Sequence, residues 1–208
     1  MVDEKAIQNA QEKYGMLLRK QLERVESLKM EGDWVDYSKL DKMIVGVCGG
    51  DGIGPYICAS AQRVMEFLLA DKIRTGNVEV RKIDGLTIER RVEVMKAIPD
   101  DTLAELKKCH VILKGPTTTP KKGDPWPNIE SANVAMRKEL DLFANVRPVS
   151  VPELGIDWTF FRENTEGSYA LGSDGINVTD DLAMDFCVAT TQGTERIIRA
   201  GFDYAKKN

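Results

Sequence analysis

Strand-like and helix-like stretches alternate from residue 43 onward, which predicts an α/β fold with parallel strand pairs. Three stretches carry that reading. MIVGVC at 43–48 is a continuous apolar run of the kind found in a strand buried on both faces. Val78–Ile83 alternates with the two-residue period of a strand. Val111–Leu113 is a third, short apolar strand, and helix-patterned segments separate all three.

Ahead of them, residues 3–31 place Ile7, Ala10, Tyr14, Leu17, Leu18, Leu22, Val25 and Leu28 at steps of three and four, an amphipathic helix with a broad apolar stripe. Gly32 and Asp33 are expected to end it, with Trp34, Val35 and Tyr37 as a short apolar link. Two roles suit such a helix: an arm for oligomerisation, or an extension folded back on its own domain.

The first strand runs into a glycine-rich turn, GGDGIGP at 49–55, and residues 56–70 form the next helix. Thr87–Ala97 and Asp101–Cys109 read as helices separated by Pro99. The third strand leads into LKGPTTTP (113–120), and PKKGDPWPN (120–128) is a polar, proline-rich loop. Ser131 stands at an N-cap position, and residues 130–142 form the helix it opens. Val146–Val149 and Trp158–Arg162 are extended, and 163–181 is loop or hairpin. Thr190–Lys207 is a helix with Ile197, Ile198, Ala200, Gly201 and Tyr204 inward, and Lys206 and Lys207 suit its negative pole. No internal repeat or low-complexity tract interrupts the chain.

Composition bounds the function. A chain of 208 residues allows one large domain or two small ones. It is 42% hydrophobic and 30% charged, with 29 Lys and Arg against 33 Asp and Glu, a net charge of −4. That balance gives no pull toward nucleic acid or an anionic membrane. No apolar run approaches the roughly 18 residues of a spanning helix, and the charged start MVDEKAIQNAQEK lacks a secretory apolar region. Cys48, Cys58, Cys109 and Cys187 show no CxxC spacing, so reduced thiols and a cytoplasmic location are expected. His110 is the single histidine, which rules out a histidine-rich metal site, and no GxSxG is present.

Six polar residues stand out: Ser131, Asn133, Arg137, Arg147, Arg162 and Tyr169. A guanidinium presents five donors in a rigid fork that matches a carboxylate bidentately. Three such forks with a hydroxyl and an amide suit a small molecule bearing several carboxylates, each charge-assisted bond contributing about 1.5–3 kcal/mol. As surface ion pairs the same arginines would contribute about 0–1 kcal/mol each. GGDGIGP departs from the dinucleotide fingerprint GxGxxG, and no GK[ST] follows it. Its glycines permit positive φ and close backbone approach. The hydroxyls of LKGPTTTP either hold part of a ligand or cap their own turn.

Four words occur in order: GDGIGP, LKGPTTTP, SANVAMRKELDLFANVRPV (131–149) and FRENTEGSYALG (161–172). Together they resemble the β-decarboxylating dehydrogenases, the family of isocitrate, isopropylmalate, homoisocitrate and tartrate dehydrogenases, over residues 43–208. The resemblance implies an isopropylmalate dehydrogenase-like α/β fold rather than a Rossmann fold, incomplete, with a helical extension at residues 1–42. Residues 43–141 then belong to the large nucleotide-binding domain, and residues 142–208 begin a small domain and an intersubunit clasp.

It further implies that Arg137, Arg147 and Arg162 clamp the carboxylates of a 2-hydroxy acid. Ser131 and Asn133 fall where isocitrate enzymes read the distal carboxylate, and isopropylmalate enzymes carry acidic and leucine-like residues there. Isocitrate is therefore the expected substrate, with isopropylmalate or homoisocitrate as the alternative. Tyr169 corresponds to the acid that protonates the enolate. Lys114, Thr118 and Thr119 fall in the loop that meets the nicotinamide of NAD or NADP. Two departures are Tyr56, where the family usually has Glu, and the long loop from Pro120 to Ser131. The family's catalytic lysine and its Mg2+- or Mn2+-binding aspartates are expected beyond Asn208. The chain by itself is then expected to be inactive. The resemblance then leaves three expectations: a part of a longer enzyme, one half completed by a separate C-terminal chain, or a non-catalytic partner of a full-length homologue. A homodimer is the family's usual assembly.

Overall fold

A computed structural model describes residues 2–30, 35–171 and 174–208. Gly32, Asp33 and Trp34, read above as the first helix's end and link, lie outside the described residues. In chain order the elements are α1 (Glu4–Met30), β1 (Met43–Cys48), α2 (Gly54–Leu68), α3 (Ala70–Arg74), β2 (Val78–Lys82), α4 (Ile88–Glu93), α5 (Asp100–Leu106), β3 (Val111–Lys114), α6 (Ala132–Glu139), β4 (Ala144–Val151), β5 (Ile156–Glu163), β6 (Ile176–Asn177), β7 (Ala183–Met184) and α7 (Thr191–Lys207). The chain forms two compact units: Trp34–Leu140, and Met1–Asp33 together with Asp141–Asn208.

In the unit Trp34–Leu140, the expected parallel pairing is present. A three-stranded sheet has the order β2-β1-β3, and both pairings of β1 are parallel. The central strand is the most apolar, and its last four residues are buried. His110 lengthens the β3 pairing: its amide donates to Ile44 O at 2.9 Å, and its Nδ1 accepts from Ile44 N at 3.0 Å. The core gathers Cys48, Ile83, Leu86, Ile98, Leu106, Ala135 and Met136. Cys48 and Cys58 are buried free thiols, and burial pushes the Cys48 thiol up to about 12.

Four helices differ from the sequence reading, and the one expected over Asp101–Cys109 spans Asp100–Leu106. The helix expected at 56–70 begins at Gly54 and gives way to α3, because Pro55 in the first turn needs no amide partner. The helix expected over Thr87–Ala97 stops at Glu93, since Met95 adopts a φ of 50°. The helix expected at 130–142 spans only Ala132–Glu139, with Asp141 beyond it at a φ of 43° in the left-handed position that commonly follows a helix. On α2, Tyr56, Ile57, Val64, Phe67 and Leu68 are exposed and recur at steps of one, three, four and seven, an uncovered apolar stripe.

In the second unit, β4 and β5 pair antiparallel, a pairing the sequence left open. α7 packs on β5: Phe161 meets Tyr204 with ring centroids 5.3 Å apart, and a side chain at Gly201 would touch Phe161. Ile198 and Tyr204, expected inward, are 52% and 39% exposed, because only one narrow face of α7 meets the hairpin. The loop-or-hairpin region contains the antiparallel pair β6–β7. α1 folds back within this unit, where Leu17 joins Leu171 and Ile176 in a second apolar cluster.

Candidate functional site

The unit Trp34–Leu140 carries Lys114, Thr118, Thr119, Ser131, Asn133 and Arg137, and Asp51 with the buried Arg91 ties the backbone at Thr118 and Glu130. Asp51, in the glycine turn, accepts from Ile88 N at 2.7 Å and Thr118 N at 2.6 Å, while its own amide donates to Pro116 O at 2.8 Å. Arg91, on α4, is fully buried and donates to three carbonyls: Ala97 at 2.8 Å, Thr118 at 2.7 Å and Glu130 at 2.9 Å. Desolvation lowers the Arg91 pKa, and the Asp51 charge works in the opposite direction. Both main-chain groups of Thr118 are thereby fixed, and the same guanidinium holds the residue before Ser131.

Glycine completes the junction. A Cβ at Gly54 or Gly115 would overlap the carbonyl oxygen of Gly49, and one at Gly50 (φ 69°) would overlap that of Pro116. These glycines therefore serve close approach between two loops of the same unit. Lys114 donates to Gly115 O at 2.8 Å and Thr117 Oγ1 at 3.2 Å. Its half-buried ammonium has a pKa lowered chiefly by desolvation.

Ser131 takes the N-cap position of α6, yet its side chain makes no capping hydrogen bond. The structural role that competes with ligand binding is therefore unused. Asn133 and Arg137 lie four residues apart, on one face of the helix.

Arg147, Arg162 and Tyr169 belong to the other unit. Register places Asn145 opposite Arg162 and Arg147 opposite Phe160. Paired residues share a face, so both arginines project from one face of the hairpin, as diagonal neighbours. Arg147 Nε donates to Asn145 Oδ1 at 2.9 Å. Arg162 donates to Asn164 Oδ1 at 3.2 Å and reaches Tyr169 OH at 3.5 Å, its guanidinium carbon 5.5 Å from the ring centroid. Arg162 Nε is buried without a hydrogen-bond partner. Two guanidinium groups and a phenol thus share one face, a suitable surface for a carboxylate whose neighbouring carbon accepts a proton.

The loop that presents Tyr169 is built from acidic side chains. Glu163 accepts from Thr165 N at 2.9 Å and Thr165 Oγ1 at 2.7 Å. Glu166, buried, accepts from Thr190 N at 2.9 Å, Thr190 Oγ1 at 2.6 Å and Arg24 at 3.1 Å. Arg196 forms a bidentate pair with Asp141 at 2.6 and 2.9 Å. Asp51, Arg91, Glu166 and Arg24 were not singled out in the sequence. Arg91 had a visible signal, since it lies three residues from Ile88 and so on the apolar side of its helix.

The family model of isocitrate/isopropylmalate dehydrogenase matches residues 44–208. The chain belongs to this family. Among its relatives, a Caldococcus noboribetus protein named isocitrate dehydrogenase [NADP] is 35% identical over 81% of this chain and 44% of its own length. Relatives of the same name from Haloferax volcanii and Staphylococcus epidermidis are 29% and 32% identical, over 88% and 76% of this chain and 49% and 44% of their own lengths. This family member spans about half the length of those relatives. Among the described residues, no helix is long and apolar enough to cross a membrane.

Proposed function

We propose that this chain supplies the tricarboxylate-binding part of an NADP-dependent isocitrate dehydrogenase. The supporting observation is the hairpin face on which Arg147 and Arg162 stand together with Tyr169. Arg137, Arg147 and Arg162 are the residues proposed to bind the carboxylates next to the reacting carbons. Ser131 and Asn133 hydrogen-bond the third carboxylate and leave polar groups unpaired against an isopropyl group, which disfavours isopropylmalate. Homoisocitrate, also a tricarboxylate, differs only in the reach of that third group.

In the reaction, C2 loses a hydride and its hydroxyl a proton, CO2 leaves from the adjacent carbon, and Tyr169 protonates the resulting enolate to give 2-oxoglutarate. NADP+, when bound, would supply the hydride acceptor. Lys114, Thr118 and Thr119 are the residues proposed to meet its nicotinamide end, on a loop whose backbone Asp51 and Arg91 already fix. Among the described residues no group of three His, Cys, Asp or Glu side chains could hold a metal ion. Ligands for Mg2+ or Mn2+ and the general base are proposed to come from the remainder of the enzyme, on the same or a separate polypeptide. The apolar stripe on α2 suits burial by such a remainder or in a dimer.

Titration calorimetry on the 208-residue chain tests the reading. Isocitrate is expected to bind more tightly than isopropylmalate, and Arg162→Met to weaken isocitrate by about tenfold or more. Equal heats for both acids, or an Arg162→Met variant that binds isocitrate unchanged, would sink it. NADPH production by the chain alone, above a Tyr169→Phe control, would show that the remainder is not needed.

A further inference from the structure

α1 lies outside the matched residues 44–208, so its role is read from what it touches. It grips the segment carrying Tyr169 on both sides. Three residues before the tyrosine, Glu166 is 4% exposed and accepts from Arg24 Nη1 at 3.1 Å. Two residues after it, Leu171 is also 4% exposed and clusters with Leu17 and Ile176. Between these anchors Tyr169 N donates to Glu166 O at 3.2 Å, closing a short turn. Leu17 and Arg24 stand two helical turns apart on one face of α1, so a single docked helix fixes both ends of that turn.

The Arg24–Glu166 pair differs from an ordinary surface pair. Lys20 and Asp174, 2.7 Å apart on the same helix contact, are 64% and 44% exposed, and pairs of that kind contribute little. The Glu166 carboxylate is buried, and loss of its cation leaves a buried charge short of a partner. It would still be held by Thr190 at the N-terminus of α7, where the helix dipole favours an anion. Removing Arg24 should therefore release α1 from the Tyr169 segment while α7 stays formed.

We propose that α1 is an intramolecular brace for Tyr169. Arg24 and Leu17 are positioning residues that hold the phenol against Arg162, ready for the protonation step. The inference rests on the role proposed above for Tyr169, and its test does not depend on turnover or substrate.

A fluorinated tyrosine at position 169 of the full chain, followed by fluorine NMR, reports the ring's surroundings. Arg24→Met is expected to move and broaden that resonance, and Arg24→Lys to restore it. A label at Tyr37, in the other unit, should not respond. An unchanged resonance at 169 in a folded Arg24→Met variant, even one that melts earlier, would reduce α1 to a stabilising helix and overturn the brace. Should Arg24→Met fail to fold, hydrogen exchange on the unaltered chain decides. The Tyr169 amide and the amides of α1 should open together with one denaturant dependence, and separate openings would overturn the proposal. Loss of the isocitrate response with the fluorine response intact would sink the function and leave the brace standing.

Discussion

In the unit Trp34–Leu140 the loops are tied through main-chain atoms. Arg91 donates only to carbonyls, Asp51 accepts only from amides, and three glycines let backbone approach backbone. In the other unit side chains supply both ends of several ties: Arg24 to Glu166, Arg196 to Asp141, and Thr190 Oγ1 to Glu166. The first arrangement fixes a path for the chain through main-chain atoms, so the side chain of Thr118 takes no part in those ties. The second depends on particular residues at both ends of each tie, so a single exchange in either partner is felt.

That contrast makes Arg91 the most costly side chain to remove. Arg91→Met strands three carbonyls, an expected loss of about 3 kcal/mol or more at about 1–3 kcal/mol for each unsatisfied group. Denaturant unfolding measures it, and a loss below about 1 kcal/mol would show that water or backbone movement replaces the guanidinium.

The glycines separate the two arrangements more sharply. A Cβ at Gly115 meets the Gly49 carbonyl, a backbone atom, whereas a Cβ at Gly193 meets the carboxylate of Glu166. Gly115→Ala and Gly193→Ala are each expected to cost about 1–3 kcal/mol by overpacking. Adding Glu166→Ala removes the obstacle at Gly193, so the double variant should be more stable than the sum of the two single losses predicts. No side-chain truncation clears Gly49 O for Gly115→Ala. Strict additivity of Gly193→Ala with Glu166→Ala would erase the distinction.

The sequence disclosed the elements through their periodicity: β1 as a continuous apolar run, α1 and α7 as amphipathic helices. It also singled out the three arginines and Tyr169 as candidates, because they stand in distinctive words. It did not disclose the antiparallel register that sets Arg147 beside Arg162. Nothing in VRPV or FFRE specifies the neighbour, and pairing is decided by a hairpin whose connection includes Gly155 at a φ of 65°. It also hid Glu166, since a glutamate in TEG looks like any loop acid until α1 and the α7 N-terminus close over it. Helix ends were misplaced wherever a left-handed residue, Met95 or Asp141, stopped the helix without the glycine that usually announces such a stop.

The smallest effect tests whether desolvation governs Lys114, the ammonium proposed to meet the cofactor. Lys114 has a pKa below its ordinary 10.5 in the folded chain, chiefly because burial disfavours its charge. Below its folded pKa Lys114 is protonated in both states and the folded state carries the cost of the buried charge. Between the folded pKa and 10.5 the unfolded chain binds more protons, so stability rises with pH across that window. Cys48 acts the other way, because its thiol, raised to about 12, stays protonated after the unfolded thiol ionises near 9.0, which lowers stability with rising pH. Both wild type and Lys114→Met retain Cys48, so their difference reports the lysine together with its charge coupling to that thiol. Lys114→Met should gain on wild type at pH 7, and the gap should shrink as pH approaches 10.5. A gap of constant size over that range would leave the hydrogen bonds to Gly115 O and Thr117 Oγ1, not the buried charge, as what sets the energy of Lys114.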